Sequence, residues 1–226
     1  LEQGILTAAK EGSPQGGVIS PLLANIYLNP LDWLLSDLGI KFARYADDIV
    51  ILTRSEEDAR EVLQRVRQWM ESACLTLHPE KTRIVDMGEP NAYFDFLGYR
   101  FKRSQRTGKL VRLVRPKSEK KLRAKIKKAT KRCNRNSMET IIAKINPTLR
   151  GWYGYFKHVK VSHLGTLDGW IRMRLRSIKR KRRKGRGRGR GADHQRWPNH
   201  YFAKLGLFSL KRAKEEEISL RRGAKC

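Results

Sequence analysis

Two short apolar runs, Phe42-Ala43-Arg44 and Ile49-Val50-Ile51-Leu52, bracket the tetrapeptide Tyr45-Ala46-Asp47-Asp48. β-Branched residues on both sides of a compact polar step specify strand, tight turn and strand, so an antiparallel hairpin has to be part of this fold. That excludes a purely helical chain. The same pattern predicts a buried hairpin, with two adjacent carboxylates at its tip. Like charges at such range raise each other's proton affinity, so an apolar setting keeps both only beside a compensating cation. A hard divalent ion suits this donor set: Mg²⁺, or Mn²⁺ in its place, takes carboxylate and phosphate oxygens together. The plain alternative is a solvated Asp-Asp turn.

About thirty residues upstream, Gly12-Ser13-Pro14-Gln15-Gly16-Gly17 opens with turn formers and leads into Val18-Ile19-Ser20-Pro21-Leu22-Leu23. This reads as a loop entering a helix. Leu22, Leu23, Ile26, Leu31, Leu34, Leu35 and Leu38 supply a buried stripe, and Pro30 should kink or interrupt it. Gly16 and Gly17 permit close backbone approach, and amides at a helix start attract phosphate; an ordinary Gly-Pro turn is the competing reading. After the hairpin, Ser55 and Asp58 form a capping box for a helix over 56–73, with Ala59, Val62, Leu63, Val66 and Met70 on its core face. Lys81 follows in a loop, where a solvated lysine is the ordinary reading.

Charge divides the chain sharply. Residues 1–100 carry 10 Lys or Arg against 15 Asp or Glu (−5), whereas 101–226 carry 40 against 7 (+33). Self-repulsion of that size destabilises a compact state, so it points to a polyanionic partner, nucleic acid above all. No apolar run approaches the roughly 20 residues of a spanning helix and no signal peptide is visible, which sets a membrane aside. Cys74, Cys133 and Cys226 are odd in number and widely spaced, so neither a disulfide framework nor a zinc site is indicated; a reducing, non-secreted location follows, cytoplasmic in a bacterium or organellar. His158, His163, His194 and His200 lack ligand spacing and read as surface or RNA-contacting.

Beyond Pro116 the pattern is helical and basic. Leu122, Ile126, Ala129 and Cys133 share one face, while Lys120, Lys121, Arg123, Lys127, Lys128 and Lys131 occupy the others. Asn146 and Pro147 read as the cap and first residue of a second helix, with Leu149, Trp152, Tyr153 and Phe156 as its apolar stripe; core packing explains these aromatics without base stacking. A third helix, capped by Ser162, carries Leu164, Leu167, Ile171, Leu175 and Ile178, and its cationic end includes Arg172 and Arg174. Six successive cations follow, Lys179, Arg180, Lys181, Arg182, Arg183 and Lys184. Arg186, Arg188 and Arg190 then alternate with glycine, a composition expected to stay flexible and to bind RNA by charge and guanidinium stacking. Trp197-Pro198 and 201–208 are too aromatic for a disordered tail and should dock on these helices or on RNA.

In this order the segments resemble the later part of a reverse transcriptase of the group II intron maturase kind. Gly12–Gly17 with Ile19–Leu28 resembles the family's template and nucleotide loop, Arg44–Asp48 its catalytic hairpin, Leu77–Thr82 the next palm block and Phe94–Tyr99 the primer-gripping hairpin. Asn146–Phe156 and Leu167–Arg172 resemble its maturase-specific thumb. The resemblance implies an α+β fold: a partial reverse-transcriptase palm over 1–101, with an antiparallel hairpin sheet and helices, then an α-helical thumb/maturase domain over 102–183 and a basic extension over 184–226. It implies RNA-directed DNA polymerase and intron maturase activity, with intron RNA, RNA template, DNA primer and dNTP as partners. Asp47 and Asp48 would then be catalytic and metal-binding, and Pro14, Gln15, Gly16, Gly17, Tyr45 and Lys81 would border template and nucleotide. Phe96, Leu97, Gly98 and Tyr99 would hold the primer, and the cations named above would meet RNA. One departure matters: the family's palm also carries a metal-binding aspartate on a strand well before the glycine-rich loop, and only Leu1–Glu11 precede that loop here. The chain therefore reads as a fragment or a degenerate copy, and the rival expectation is a noncatalytic RNA-binding splicing factor with a vestigial hairpin.

Overall fold

A computed structural model describes residues 18–189 and 191–223, and these separate into two compact units that divide between Asp86 and Met87. In the first unit, helix α1 (Ser20–Asp37) leads into strands β1 (Lys41–Tyr45) and β2 (Asp48–Leu52), followed by helix α2 (Glu56–Ser72). β1 and β2 pair antiparallel, Lys41 facing Leu52 and Tyr45 facing Asp48. Leu31, Leu35, Val62 and Val66 form a small core, with Phe42, Ile49 and Ile51 packed on it. Ser55 and Asp58 make the expected reciprocal cap, at 3.0 and 3.3 Å.

α1 corrects the expected stripe. Only its later half is buried; Leu22, Leu23 and Ile26 are 57%, 45% and 63% exposed, because among the described residues the core meets this helix at Leu28, Leu31 and Leu35. Pro30 lies inside the helix without ending it. A proline removes one intrahelical bond, and burial of Leu31 and Leu35 offsets that at roughly 1.5–3 kcal/mol each.

The second unit opens with a three-stranded antiparallel sheet, β3 (Tyr93–Phe96), β4 (Tyr99–Arg103) and β5 (Leu110–Val114), in sequential order. The β3–β4 hairpin thus packs with the helical part of the chain, although the charge boundary lies after it. Helices α3 (Pro116–Ala129), α4 (Met138–Phe156) and α5 (Val161–Arg182) follow, then the short α6 (Ala192–Arg196) and α7 (Asn199–Lys204), and α8 (Leu210–Gly223). The α5 stripe predicted from spacing is buried in full, from Leu164 to Ile178, against Leu122, Ile126, Ile141, Ile145 and Leu149. Cys133 lies beyond the end of α3 and is exposed, because that helix stops at Ala129.

Two helix starts differ from expectation. α4 runs straight through Asn146-Pro147 and begins nine residues earlier, where Ser137 accepts the Thr140 amide at 3.1 Å. Asn146 serves a distant segment instead: its Nδ2 donates to the Gly206 carbonyl at 2.8 Å and its Oδ1 accepts the Phe208 amide at 3.0 Å. α5 starts at Val161, so Ser162 lies within its first turn rather than capping it.

Of the two surfaces open to it, the aromatic tail docks on the helices. Trp197, Phe202 and Leu210 join the main core. The buried Asp168 carboxylate on α5 accepts from Ser209 Oγ at 2.7 Å, the Leu210 amide at 3.0 Å and the Lys211 amide at 3.1 Å, so it caps α8 from another helix. Tyr153 on α4 donates to Glu217 of α8 at 3.1 Å; burial first, then that carboxylate, push its phenol up to about 12. Asp168→Ala strands the buried Leu210 amide and the part-buried Lys211 amide and Ser209 hydroxyl, so it should destabilise this unit by about 2 kcal/mol and expose α8 first. Thermal melting with amide exchange over 210–223 measures this; an unchanged melting temperature would show that the carboxylate does not hold the helix.

Candidate metal hairpin and nucleic-acid interface

The β1–β2 turn is two residues long, Ala46 and Asp47, and Ala46 takes a positive φ of 52°. A left-handed residue at the first turn position matches the twist of a two-residue hairpin, but it strains any residue with a Cβ. Arg44 holds it there. Its Nη1 donates to the Ala46 carbonyl at 2.9 Å and to Asn25 Oδ1 at 3.0 Å, while Nε and Nη2 grip both oxygens of Asp32 on α1. The Asp32 hydrogen bond holds the guanidinium above its usual range, with burial opposing it. One side chain thus ties the turn to the helix, and neither Arg44 nor Asp32 stood out in the sequence as a functional residue. The signal available was an arginine directly before the tip with an aspartate twelve residues upstream.

The acid pair is not buried: Asp47 and Asp48 are both exposed, because the hairpin buries its strand interior against α1 and α2 while its tip projects outward. Tyr45 is exposed as well, at 66%. Their chemistry suits a hard cation. Among the described residues no group of three or more His, Cys, Asp or Glu converges, so two carboxylates alone would need further oxygen donors to hold such an ion. Lys81, in the loop after α2, is exposed. Pro14, Gln15, Gly16 and Gly17 lie outside the described residues.

In the second unit, the β3–β4 hairpin turns through Leu97 and Gly98, both at positive φ. Tyr155 Oη donates to the Leu97 carbonyl at 2.9 Å, and Tyr99 Oη donates to the Tyr155 carbonyl. The φ of 77° at Gly98 favours glycine, and a Cβ there would lie 3.3 Å from Ser118 Oγ and 3.4 Å from Phe156, a tight fit against α3 and α4. Phe96, Leu97, Gly98 and Tyr99 are all half-buried, and the hairpin is locked to the end of α4.

The cations fall into two populations. Lys120, Lys121, Lys127, Lys128, Lys131, Lys181, Arg182, Arg183, Lys184, Arg186 and Arg188 are exposed. Others work inside the protein. Arg174 donates to Thr130 Oγ1 at 3.1 Å and to the Thr130 carbonyl at 2.7 Å; burial, then the charge of Arg132, lowers its pKa. Arg182, although exposed, donates to the Asn134 and Asn136 carbonyls. Arg180 pairs with the buried Asp193 at 2.7 Å, Lys179 donates to Tyr201 Oη at 3.1 Å, and Arg123 pairs with Glu119 while lying over Trp170. Arg172 is half-buried. Arg176, one of several arginines in α5 with no local signal to single it out, is 2% exposed and donates to the Trp197 carbonyl at 2.8 Å and to Asn199 Oδ1 at 2.9 Å.

The Arg/Gly segment is not a flexible linker over its described residues. A Cβ at Gly185 would lie 2.7 Å from Arg180 Cγ, and one at Gly189 would lie 2.5 Å from Arg176 Cβ. The glycines are there for close approach to α5, which leaves Arg186 and Arg188 facing outward. Arg190 lies outside the described residues.

Comparison with known proteins fits this arrangement. Residues 3–101 match the family described as Reverse transcriptase (RNA-dependent DNA polymerase), and residues 119–197 match the group II intron maturase-specific domain. Protein YkfC of Escherichia coli K12 is 30% identical over 140 residues, covering 46% of this chain and 36% of that protein. The group II intron-encoded protein LtrA of Lactococcus lactis subsp. cremoris is 61% identical over 33 residues, 15% of this chain and 6% of that protein. A helix-rich chain with small antiparallel sheets and these two domains in this order belongs to the group II intron-encoded reverse transcriptase/maturase family. It spans about a third or less of the length of these relatives. Nucleic acid is the general partner of these domains, and no helix of the described residues is long and apolar enough to cross a membrane.

Arg44→Lys keeps the charge but loses the two-pronged grip on Asp32, so it should destabilise the first unit by about 1–2 kcal/mol. Amide exchange should speed up at residues 46–48 while the centre of α2 stays protected. Equal protection at the turn in both proteins would remove Arg44 as its anchor.

Proposed function

We propose that this chain is the later portion of an RNA-directed DNA polymerase and group II intron maturase, in which the hairpin contributes to DNA synthesis and the helical unit binds intron RNA. The observation that carries the proposal is the pairing, in one chain, of an arginine-anchored Asp47-Asp48 turn with a maturase-specific helical domain that turns its lysines outward. Residues 1–101 would act as palm, 102–183 as thumb and 184–226 as an extension. Bound at Asp47 and Asp48, Mg²⁺, or Mn²⁺, would supply charge stabilisation for phosphoryl transfer. The chain's own part is positional. Arg44 holds the turn so that both carboxylates face outward, Phe96–Tyr99 would support the primer from a hairpin fixed on α4, and the exposed lysines would neutralise phosphates. Tyr45 and Lys81 would border template and dNTP, together with Pro14, Gln15, Gly16 and Gly17.

Two observations support a second reading. The maturase-specific match over residues 119–197 and the outward-facing lysines of α3 suit a splicing factor in which the hairpin is vestigial.

RNA binding should be steeply salt-dependent, with a log-log slope of about 0.9 for each duplex phosphate neutralised. A titration with slope near zero would remove nucleic acid as the partner. Expressed with the rest of its palm, the protein should make DNA on a primed RNA template, and Asp47→Asn should abolish synthesis with RNA affinity within about twofold, because a metal ligand is lost but no phosphate contact. Asp48→Asn should reduce synthesis less. Full synthesis by Asp47→Asn would move the catalytic site elsewhere; intron splicing without any polymerisation by the parent protein would favour the splicing-factor reading.

A further inference from the structure

At the end of α5 the chain reverses through Lys184, which takes a left-handed φ of 61°, and Gly185. The Lys184 amide donates to the Lys181 carbonyl at 2.8 Å and the Gly185 amide to the Arg180 carbonyl at 2.9 Å, so the last carbonyls of the helix are already satisfied. From the connection between α3 and α4, Arg132 reaches across and donates through Nη2 to the Gly185 carbonyl at 3.3 Å. The result is a concavity of about 320 Å³ lined by Arg132, Lys181, Lys184, Gly185 and Arg186. Four cations face it, and no acid lines it.

Among the described residues none of those four side chains has an ion-pair partner, and Arg132 Nε is buried without any hydrogen-bond acceptor. Arg174, Arg176, Arg180 and Arg182 of α5 are matched to carbonyls or carboxylates, whereas Arg172 Nε, like Arg132 Nε, is buried without an acceptor. A buried donor left open costs free energy, and so does clustering like charge without a counterion. Both costs are recovered when an anion with several acceptor oxygens enters, and a phosphate is that anion.

We propose that Arg132, Lys181, Lys184 and Arg186 form a fixed pocket for a single backbone phosphate of RNA, a point of register for the otherwise diffuse cationic surface. This rests on the reading of the helical unit as an RNA-binding domain. RNA is favoured over a free anion because exposed Arg183 and Arg188 flank the pocket in sequence and can meet neighbouring phosphates of the same strand.

The test is a double-mutant cycle on the full chain, with a fluorescein-labelled RNA hairpin as probe and with inorganic phosphate and pyrophosphate as separate competitors. Arg132→Lys keeps its charge, and Lys181→Gln removes a side chain that makes no internal hydrogen bond, so the second variant tests the pocket without disturbing the fold. Each should weaken hairpin binding about tenfold, and the double variant should lose far less than the product, since both act on one phosphate. Lys204→Gln, a charge removed from the exposed face of α7, should change affinity no more than about twofold. Multiplicative losses no larger than that of Lys204→Gln would overturn the pocket while leaving RNA binding intact. Tight pyrophosphate binding that both pocket variants weaken, with hairpin affinity unaffected by them, would make this a free-anion site and overturn the backbone assignment. Failure of the wild-type chain to bind any RNA would instead overturn the RNA-binding reading beneath it.

Discussion

The C-terminal half has far too few acids to neutralise itself by ion pairing, and the structure of its helices depends on how it handles that excess. Its arginines are turned onto backbone carbonyls: Arg174 closes the end of α3, Arg182 holds the segment before α4, and Arg176 clasps the start of the docked tail. A planar fork that delivers several hydrogen bonds in fixed directions can do this, whereas a lysine offers a point charge on a flexible stem. The lysines of α3 accordingly stay in solvent. The acids are few but well placed, Asp168 on the amides of α8, Asp193 with Arg180, and Glu217 with Tyr153.

The same division of labour accounts for the Arg/Gly segment. Alternation of arginine with glycine looks like an unstructured RNA-binding tail, and two of its glycines are instead the only residues that allow the chain to lie against α5. Removing the segment would take away part of the core's outer wall, including contacts to Arg176 and Arg180, so its contribution to affinity cannot be separated from its contribution to folding by truncation.

In the first unit one guanidinium has a comparable role. Arg44 joins Asp32, Asn25 and the turn carbonyl, so the acid pair sits on a strained turn fixed from behind by a helix. The exposed Leu22, Leu23 and Ile26 lie on that same helix, earlier than its packed turns. The β3–β4 hairpin is fixed in an analogous way, by Tyr155 on a carbonyl of its own turn.

Periodicity and turn chemistry by themselves determined the β1–β2 hairpin with its acid tip, the capped helix after it, the apolar stripe of α5 and the need for the aromatic tail to dock, because each depends on residues within a few positions of one another. Only the tertiary structure decided the rest. Proline favours first turns, yet α4 runs through Pro147, since packing on both sides outweighs one missing hydrogen bond. Asn146 and Asp168 carry no local sign that their partners lie 60 and 41 residues away. Which cations face solvent and which hold carbonyls could not be read from a run of Lys and Arg, because the choice is made by where the helices bring backbone acceptors within reach.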